Sequence, residues 1–216
     1  MDRKILAENV AKALLSIKAV FLRPSEPFTW ASGIKSPVYC DNRLTLAYPE
    51  VRAVVENGIA EVIKAEYPEA EVLMGTSTAG IPHAAIVSEK LNLPMGYVRS
   101  GNKEHGRGNR IEGADPAGKK VVVVEDLIST GGSAIEVVEA LREAGGEVIG
   151  IVSIFTYEMR KGYERLAAAN IRNESLSNFS VLSKVALDEK YITEKEYRMV
   201  TAFREDPNGS GWLEVK

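Results

Sequence analysis

Val121-Val122-Val123-Val124-Glu125-Asp126-Leu127-Ile128-Ser129-Thr130-Gly131-Gly132-Ser133 sets the fold of this chain. The run of β-branched apolar residues reads as a strand buried on both faces. It stops at two adjacent carboxylates. A hydroxyl- and glycine-rich turn follows, then a helix over residues 134 to 144. A helix start carries unpaired N–H groups and the positive end of its dipole, so it is an anion site. Gly131 and Gly132 let the backbone approach a ligand closely. Glu125 and Asp126, when ionised, accept from hydroxyl groups or hold a divalent cation. A ligand with both a phosphate and a diol, such as a sugar phosphate, suits the loop. A capped helix start flanked by solvated acids is the competing reading, but capping alone requires neither the valines nor the paired acids. The stretch lacks the Gly-Lys-Ser/Thr ending of a P-loop, and its glycines do not fall in a Gly-x-Gly-x-x-Gly frame.

Working outward, strands alternate with helices. Strands are expected at residues 71 to 74, 95 to 98, 121 to 124 and 148 to 155. Helices are expected at 49 to 67, opened by Pro49, and at 81 to 91, 134 to 144 and 162 to 170. This order implies right-handed crossovers and a parallel sheet flanked by helices, an α/β fold. Before it, Ile5, Leu6, Val10, Leu14, Ile17 and Phe21 mark one face of a helix over residues 2 to 21. Residues 22 to 43 hold three prolines and read as short irregular strands. Two short helices close the chain over residues 181 to 203, the second with a Thr193/Glu196 capping box. Residues 206 to 211 are expected to fray. No repeat or linker divides the chain, so residues 1 to 216 are expected to form one domain.

The chain has 216 residues and a net charge of -3, which does not favour a polyanionic partner such as nucleic acid. Its one cysteine, Cys40, forms no intrachain disulfide and suits a reducing, cytoplasmic setting. The N-terminus does not read as a signal peptide, and no stretch approaches the roughly 20 apolar residues of a membrane span.

Residues 99 to 118 break the alternation. They hold Gly101, Gly106, Gly108, Gly113 and Gly118 together with Arg99, Lys103, His105, Arg107 and Arg110. Long loops of this kind in compact domains are often lids. Arg99, Lys103 and His105 are placed to converge on concentrated negative charge such as a pyrophosphate, and glycines permit opening and closing. A second strand-to-helix turn, Gly75-Thr76-Ser77-Thr78-Ala79-Gly80, offers three hydroxyls and backbone N–H groups. His83 reads as a helix residue rather than a catalyst.

The strand, two acids, two apolar residues and Thr-Gly turn resemble the phosphoribosyl pyrophosphate (PRPP) signature of type I phosphoribosyltransferases. Tyr97-Val98-Arg99, Lys103-Glu104-His105-Gly106, Gly108-Asn109 and Ile111-Glu112-Gly113 resemble the catalytic loop of the orotate phosphoribosyltransferase family. Phe28-Thr29-Trp30-Ala31-Ser32-Gly33-Ile34-Lys35-Ser36-Pro37 resembles its N-terminal hood. The resemblance runs from about Phe28 to Gly162. It implies a type I phosphoribosyltransferase fold with a hood over residues 22 to 45, a lid at 99 to 118 and C-terminal helices at 181 to 205. It implies transfer of ribose 5-phosphate from PRPP to orotate, giving orotidine 5-phosphate and pyrophosphate.

Carried over by residue, Glu125 and Asp126 bind the ribose hydroxyls, with Leu127, Ile128 and Ser129 completing the PRPP motif. Thr130, Gly131, Gly132 and Ser133 hold the 5-phosphate. Thr76, Ser77 and Thr78 form the pyrophosphate turn, and Ser129 contacts orotate. Arg99, Lys103 and His105 act on PRPP from the lid, shared between the subunits of a homodimer. Mg2+ is the implied cofactor, with no protein ligand assigned to it. The chain departs from common family residues at Thr78-Ala79, at Ala31 and at Ser100, so Tyr-Lys, hood-lysine and second-cation contacts are not carried over. Hood backbone N–H groups are the expected partners of the orotate carboxylate. The rival readings are a phosphoribosyltransferase for another base and a non-catalytic PRPP-sensing regulator.

Overall fold

The structure, a computed structural model, describes residues 2–29, 33, 35–99, 110–207 and 209–215. They fall into two compact units, residues 55–176 and residues 2–54 with 177–215.

The chain starts in the second of these. Helix α1 (Arg3–Ser16) is capped by Asp2, whose side chain accepts from the Lys4 and Ile5 N–H groups. It buries Leu6, Ala7, Val10, Ala11, Leu14 and Leu15. The helix is shorter than expected, and Ile5 is exposed. Lys18, at φ 56°, turns the chain in the left-handed region. Phe21 therefore leaves the helix and lies in β1 (Val20–Leu22). The expected irregular strands follow as β2 (Phe28–Thr29), β3 (Lys35–Ser36) and β4 (Val38–Cys40). β1 pairs with β4, and β2 with β3, both antiparallel. Ser36 is buried, and its hydroxyl donates to the Val38 carbonyl and accepts from the Val38 N–H. The Ser-Pro step of the hood thus closes its own turn.

Helix α2 (Pro49–Glu66) leads into the α/β unit. Its elements are β5 (Val72–Thr76), α3 (Gly80–Leu91), β6 (Met95–Val98), β7 (Ile111–Gly113), β8 (Lys120–Ile128), α4 (Gly132–Glu143), β9 (Glu147–Thr156), α5 (Arg160–Ala168) and β10 (Asn173–Asn178). The six strands lie in the order β10-β9-β8-β5-β6-β7. β6, β5, β8 and β9 are mutually parallel, as the alternation predicts. The sheet is mixed, however, because β7 runs antiparallel to β6. β7 lies inside the segment read as structureless: three residues are too few for a periodic signal, and pairing with β6 supplies their order. β10 was also missed, because Asn173, Glu174, Ser175, Ser177 and Asn178 carry little strand propensity.

The central strand is longer than its apolar run. β8 continues through the acids to Ile128, with Glu125 opposite Ser153 and Leu127 opposite Phe155 of β9. The carboxylates thus sit in the ladder, not in the following loop. All four valines have zero exposure, and each contributes roughly 1.5–3 kcal/mol by burial. Val121 and Val123 belong to one core cluster with Val137, Val138 and Leu141 of α4.

After β10 the chain returns to the smaller unit with α6 (Phe179–Asp188) and α7 (Glu194–Glu205), whose Thr193/Glu196 capping box is present. Trp212 is buried, its ring edge-on to Phe203 at 5.5 Å. This contact anchors a 3-10 turn at Gly211–Glu214, which begins where the stretch expected to fray, residues 206 to 211, ends.

Gly80 controls how α3 meets the sheet. A Cβ there would lie 2.3 Å from the Val124 carbonyl oxygen and 2.5 Å from Thr76 Oγ1. Gly80→Ala is therefore expected to lower stability by about 1–3 kcal/mol. Urea unfolding measures this, and an unchanged midpoint would show that the helix start can move away without cost.

Candidate active site

The two turns singled out in the sequence lie at the carboxyl ends of adjacent parallel strands, β5 and β8, where ligands of open α/β sheets bind. Helices α3 and α4 both start there without a side-chain cap. The N-cap of α4 is Gly131, at φ 74°, a conformation that glycine adopts freely. Neither turn spends its hydroxyls on capping, so the capped-start reading does not describe them. Two helix starts with the positive ends of their dipoles at one sheet edge favour anions.

The hydroxyls of the first turn have other partners. Ser77 Oγ donates to the Val98 carbonyl at 2.6 Å. Thr76, buried, donates to Glu125 Oε1 at 2.8 Å. Thr78 is exposed, and its peptide bond with Ser77 is cis. Thr76 therefore braces the acid pair, a role that its place in the turn did not announce.

Glu125 is 4% exposed, and its Oε1 also accepts from the Asp126 N–H at 2.8 Å. Burial, reinforced by the Asp126 carboxyl beside it, pushes the Glu125 carboxyl up to about 8, against the smaller opposing pull of the Thr76 hydroxyl. The sequence reading took both acids as ionised acceptors. Burial shifts Glu125 toward its protonated form, because the strand carries it into the core, so the two acids are not equivalent acceptors. Asp126 is half-buried.

Further along, Leu127 is half-buried and Ile128 is buried. Ser129 is half-buried and borders a cavity of about 260 Å3 with Thr156, Met159, Gly162 and Tyr163. Thr130 presents its carbonyl and hydroxyl to the Arg165 guanidinium at 3.5 and 3.4 Å. Ser133 is exposed and borders a different, narrow cavity of about 50 Å3 with Thr76, Ser77, Arg99 and Arg110. The fold thus brings together the first turn, the end of the central loop and Arg99, while Ser129 faces a separate cavity.

Arg99 is half-buried and pairs with Glu112 of β7 at 3.3 Å. Lys103 and His105 lie outside the described residues, as do Ser100 of the lid and Trp30, Ala31, Ser32 and Ile34 of the hood. His83 is a helix residue as expected, fully buried in α3, with Nδ1 2.8 Å from Glu56 Oε1. Among the described residues, no three His, Cys, Asp or Glu side chains cluster to hold a metal ion. The two adjacent carboxyls fit an ion that arrives bound to a substrate rather than one caged by protein. Sequence reasoning gave no role to Arg110 or Arg165. Arg110 stood among the basic residues of its loop, but the pairing of β6 with β7 that brings it to the same cavity as the first turn has no short-range signal.

The fold and these two turns define a phosphoribosyltransferase: the model of the phosphoribosyl transferase domain matches residues 46–190. The chain is 57% identical over 208 residues to the orotate phosphoribosyltransferase of Bacillus cytotoxicus, covering 96% of this chain and 99% of that protein. The crystal structure of orotate phosphoribosyltransferase from Aeropyrum pernix superposes with a TM-score of 0.74 at 29% identity, over 85% of this chain and 99% of that one. UMP synthase of Leishmania donovani gives a TM-score of 0.80 at 29% identity, over 92% of this chain; the chain spans 42% of that protein. The chain belongs to the orotate phosphoribosyltransferase family.

Raising the Glu125 carboxyl in the folded state makes that state bind more protons than the unfolded chain. The stabilisation is complete below the ordinary carboxyl range and is lost as pH rises toward about 8. Relative to Glu125→Gln, the wild type is expected to lose up to about 1.4 kcal/mol per pH unit across that window. Denaturant unfolding of both proteins at several pH values measures it, and parallel curves would mean that Glu125 is ionised when folded.

Proposed function

We propose that this chain is an orotate phosphoribosyltransferase. It transfers the 5-phosphoribosyl group of PRPP to orotate, forming orotidine 5-phosphate and pyrophosphate in de novo UMP synthesis. The observation that carries the reading is the pair of uncapped helix starts at the carboxyl ends of β5 and β8, joined by the Thr76–Glu125 hydrogen bond. One substrate with a phosphate, a diol and a pyrophosphate uses both starts and the acids between them. The likeness to orotate phosphoribosyltransferases over nearly the whole chain supports orotate over another base.

In this reading the backbone N–H groups and hydroxyls of residues 130 to 133 hold the 5-phosphate. Asp126 accepts from a ribose hydroxyl, and Glu125, steadied by Thr76, completes the clamp. Displacement at the sugar C1 builds positive charge on the ribose and negative charge on the leaving pyrophosphate. The protein's contribution is position and electrostatics. The turn at Thr76, Ser77 and Thr78 receives the pyrophosphate, with Arg99, Lys103 and His105 as cations of the lid. Lid closure excludes water that would hydrolyse the sugar. Mg2+ arriving with the substrate beside the Glu125–Asp126 pair would supply charge neutralisation of the leaving group. Ser129 contacts orotate. The working form is a cytoplasmic homodimer in which each lid serves the partner's site.

Loss of orotate absorbance with PRPP and Mg2+ tests the activity. Turnover is expected with orotate; turnover with a purine base instead would replace the substrate assignment, and no transfer to any base would favour a PRPP-binding regulator. Lid sharing has its own test. Lys103→Ala and Asp126→Asn chains are each expected to be nearly inactive, while mixed dimers regain one intact site of the two. Verified hybrids without recovered activity would count against a shared lid.

A further inference from the structure

The narrow cavity beside the first turn has two arginines among its lining residues, and the proposed mechanism uses one of them. Arg99 leaves β6 and Arg110 enters β7. Their backbones are joined, the Arg99 N–H donating to the Arg110 carbonyl at 2.8 Å. Arg110 Nε donates back to the Arg99 carbonyl at 3.4 Å. Both residues border the cavity with Thr76, Ser77 and Ser133. Arg99 has Glu112 as its counter-ion. Among the described residues, Arg110 has no carboxylate within ion-pair distance, and Glu136, which also borders the cavity, pairs with neither arginine.

This arrangement concentrates one sign of charge. Two arginines bordering so small a space bring like charges near each other, and both are partly withdrawn from water. The uncapped start of α3 adds the positive end of its dipole. The turn itself, Thr76-Ser77-Thr78-Ala79, carries no charged side chain. An anion with several oxygens relieves the repulsion, and the planar fork of arginine matches phosphoryl oxygens in pairs.

We propose that Arg110 is a further binding residue for the pyrophosphate end of the ribosyl donor, a fixed cation supplied by the same chain whose turn receives that group. The assignment rests on the phosphoribosyltransferase reading. It gives the neutral turn a charge anchored on paired strands, whatever the rest of the lid does.

Calorimetric titration with magnesium pyrophosphate, alongside steady-state kinetics, tests it. In Arg110→Gln the pyrophosphate dissociation constant and the KM for PRPP are expected to rise roughly five- to tenfold, with the KM for orotate and the thermal midpoint unchanged. Arg110→Lys, which keeps the charge and loses the fork, is expected to fall between the two. A folded Arg110→Gln protein with wild-type pyrophosphate affinity overturns the proposal. A test on the unaltered protein covers a variant that fails to fold: magnesium pyrophosphate is expected to protect Arg110 from phenylglyoxal, read by mass spectrometry, and unprotected Arg110 overturns the proposal. If the wild type fails to turn over orotate yet binds pyrophosphate through Arg110, the substrate assignment falls and this one stands. A wild type that does not bind magnesium pyrophosphate overturns this one directly.

Discussion

A strand with four consecutive valines, none of them touching water, must be covered on both faces, and the rest of the α/β unit follows from that demand. Parallel neighbours on either side satisfy its backbone, and parallel pairing requires crossovers that lay helices on the sheet. Each helix that follows a strand begins near that strand's carboxyl end. The free N–H groups of α3 and α4 therefore gather at one edge of the sheet. Burial of apolar side chains and creation of an anion site are two results of one topology.

The same strand sets the electrostatics of the site. β8 outlasts its apolar run because β9, reaching Thr156, keeps offering it hydrogen bonds. Glu125 is drawn into the core with it. An isolated buried carboxylate is costly, so burial shifts the group toward its protonated form and the Thr76 hydroxyl and the Asp126 N–H serve it as partners. One oxygen of Glu125 thus joins the turn after β5 to the acid that faces the ribose in the proposed complex. Gly80 makes this geometry attainable, since any side chain there would push α3 off the Val124 carbonyl.

Much of this was legible in the sequence because it rests on local patterns. The valine run, the alternation of strands and helices, the Pro49 helix start and the Thr193/Glu196 box each carry their signal within a few residues. What the sequence concealed depends on pairing. β7 and β10 exist because neighbours offer them hydrogen bonds; their own side chains gave no cue. Glu125 looked like a loop carboxylate because polar residues normally end a strand. Thr76 showed in the sequence only as a turn hydroxyl, because the carboxyl group it also serves is 49 residues away. The helix over residues 2 to 21 was drawn too long because Phe21 fits the helical period, while the left-handed Lys18 leaves no sequence mark.

The distribution of charge bears on how such a site releases its product. A pyrophosphate group must be held more firmly as it departs than afterwards, or the enzyme stays occupied. Backbone N–H groups and hydroxyls, as in the Thr76–Thr78 turn, orient phosphoryl oxygens without the full attraction of a fixed lysine. The cations at this edge stand instead at the ends of β6 and β7, the antiparallel pair at the sheet's edge, one of them paired with Glu112. An arginine already paired with a carboxylate gives up part of its attraction for a ligand, and regains the carboxylate when the ligand leaves. In the proposed site Glu112 would lower the cost of emptying it, and Arg110, with no described carboxylate to return to, would be the stronger hold of the two.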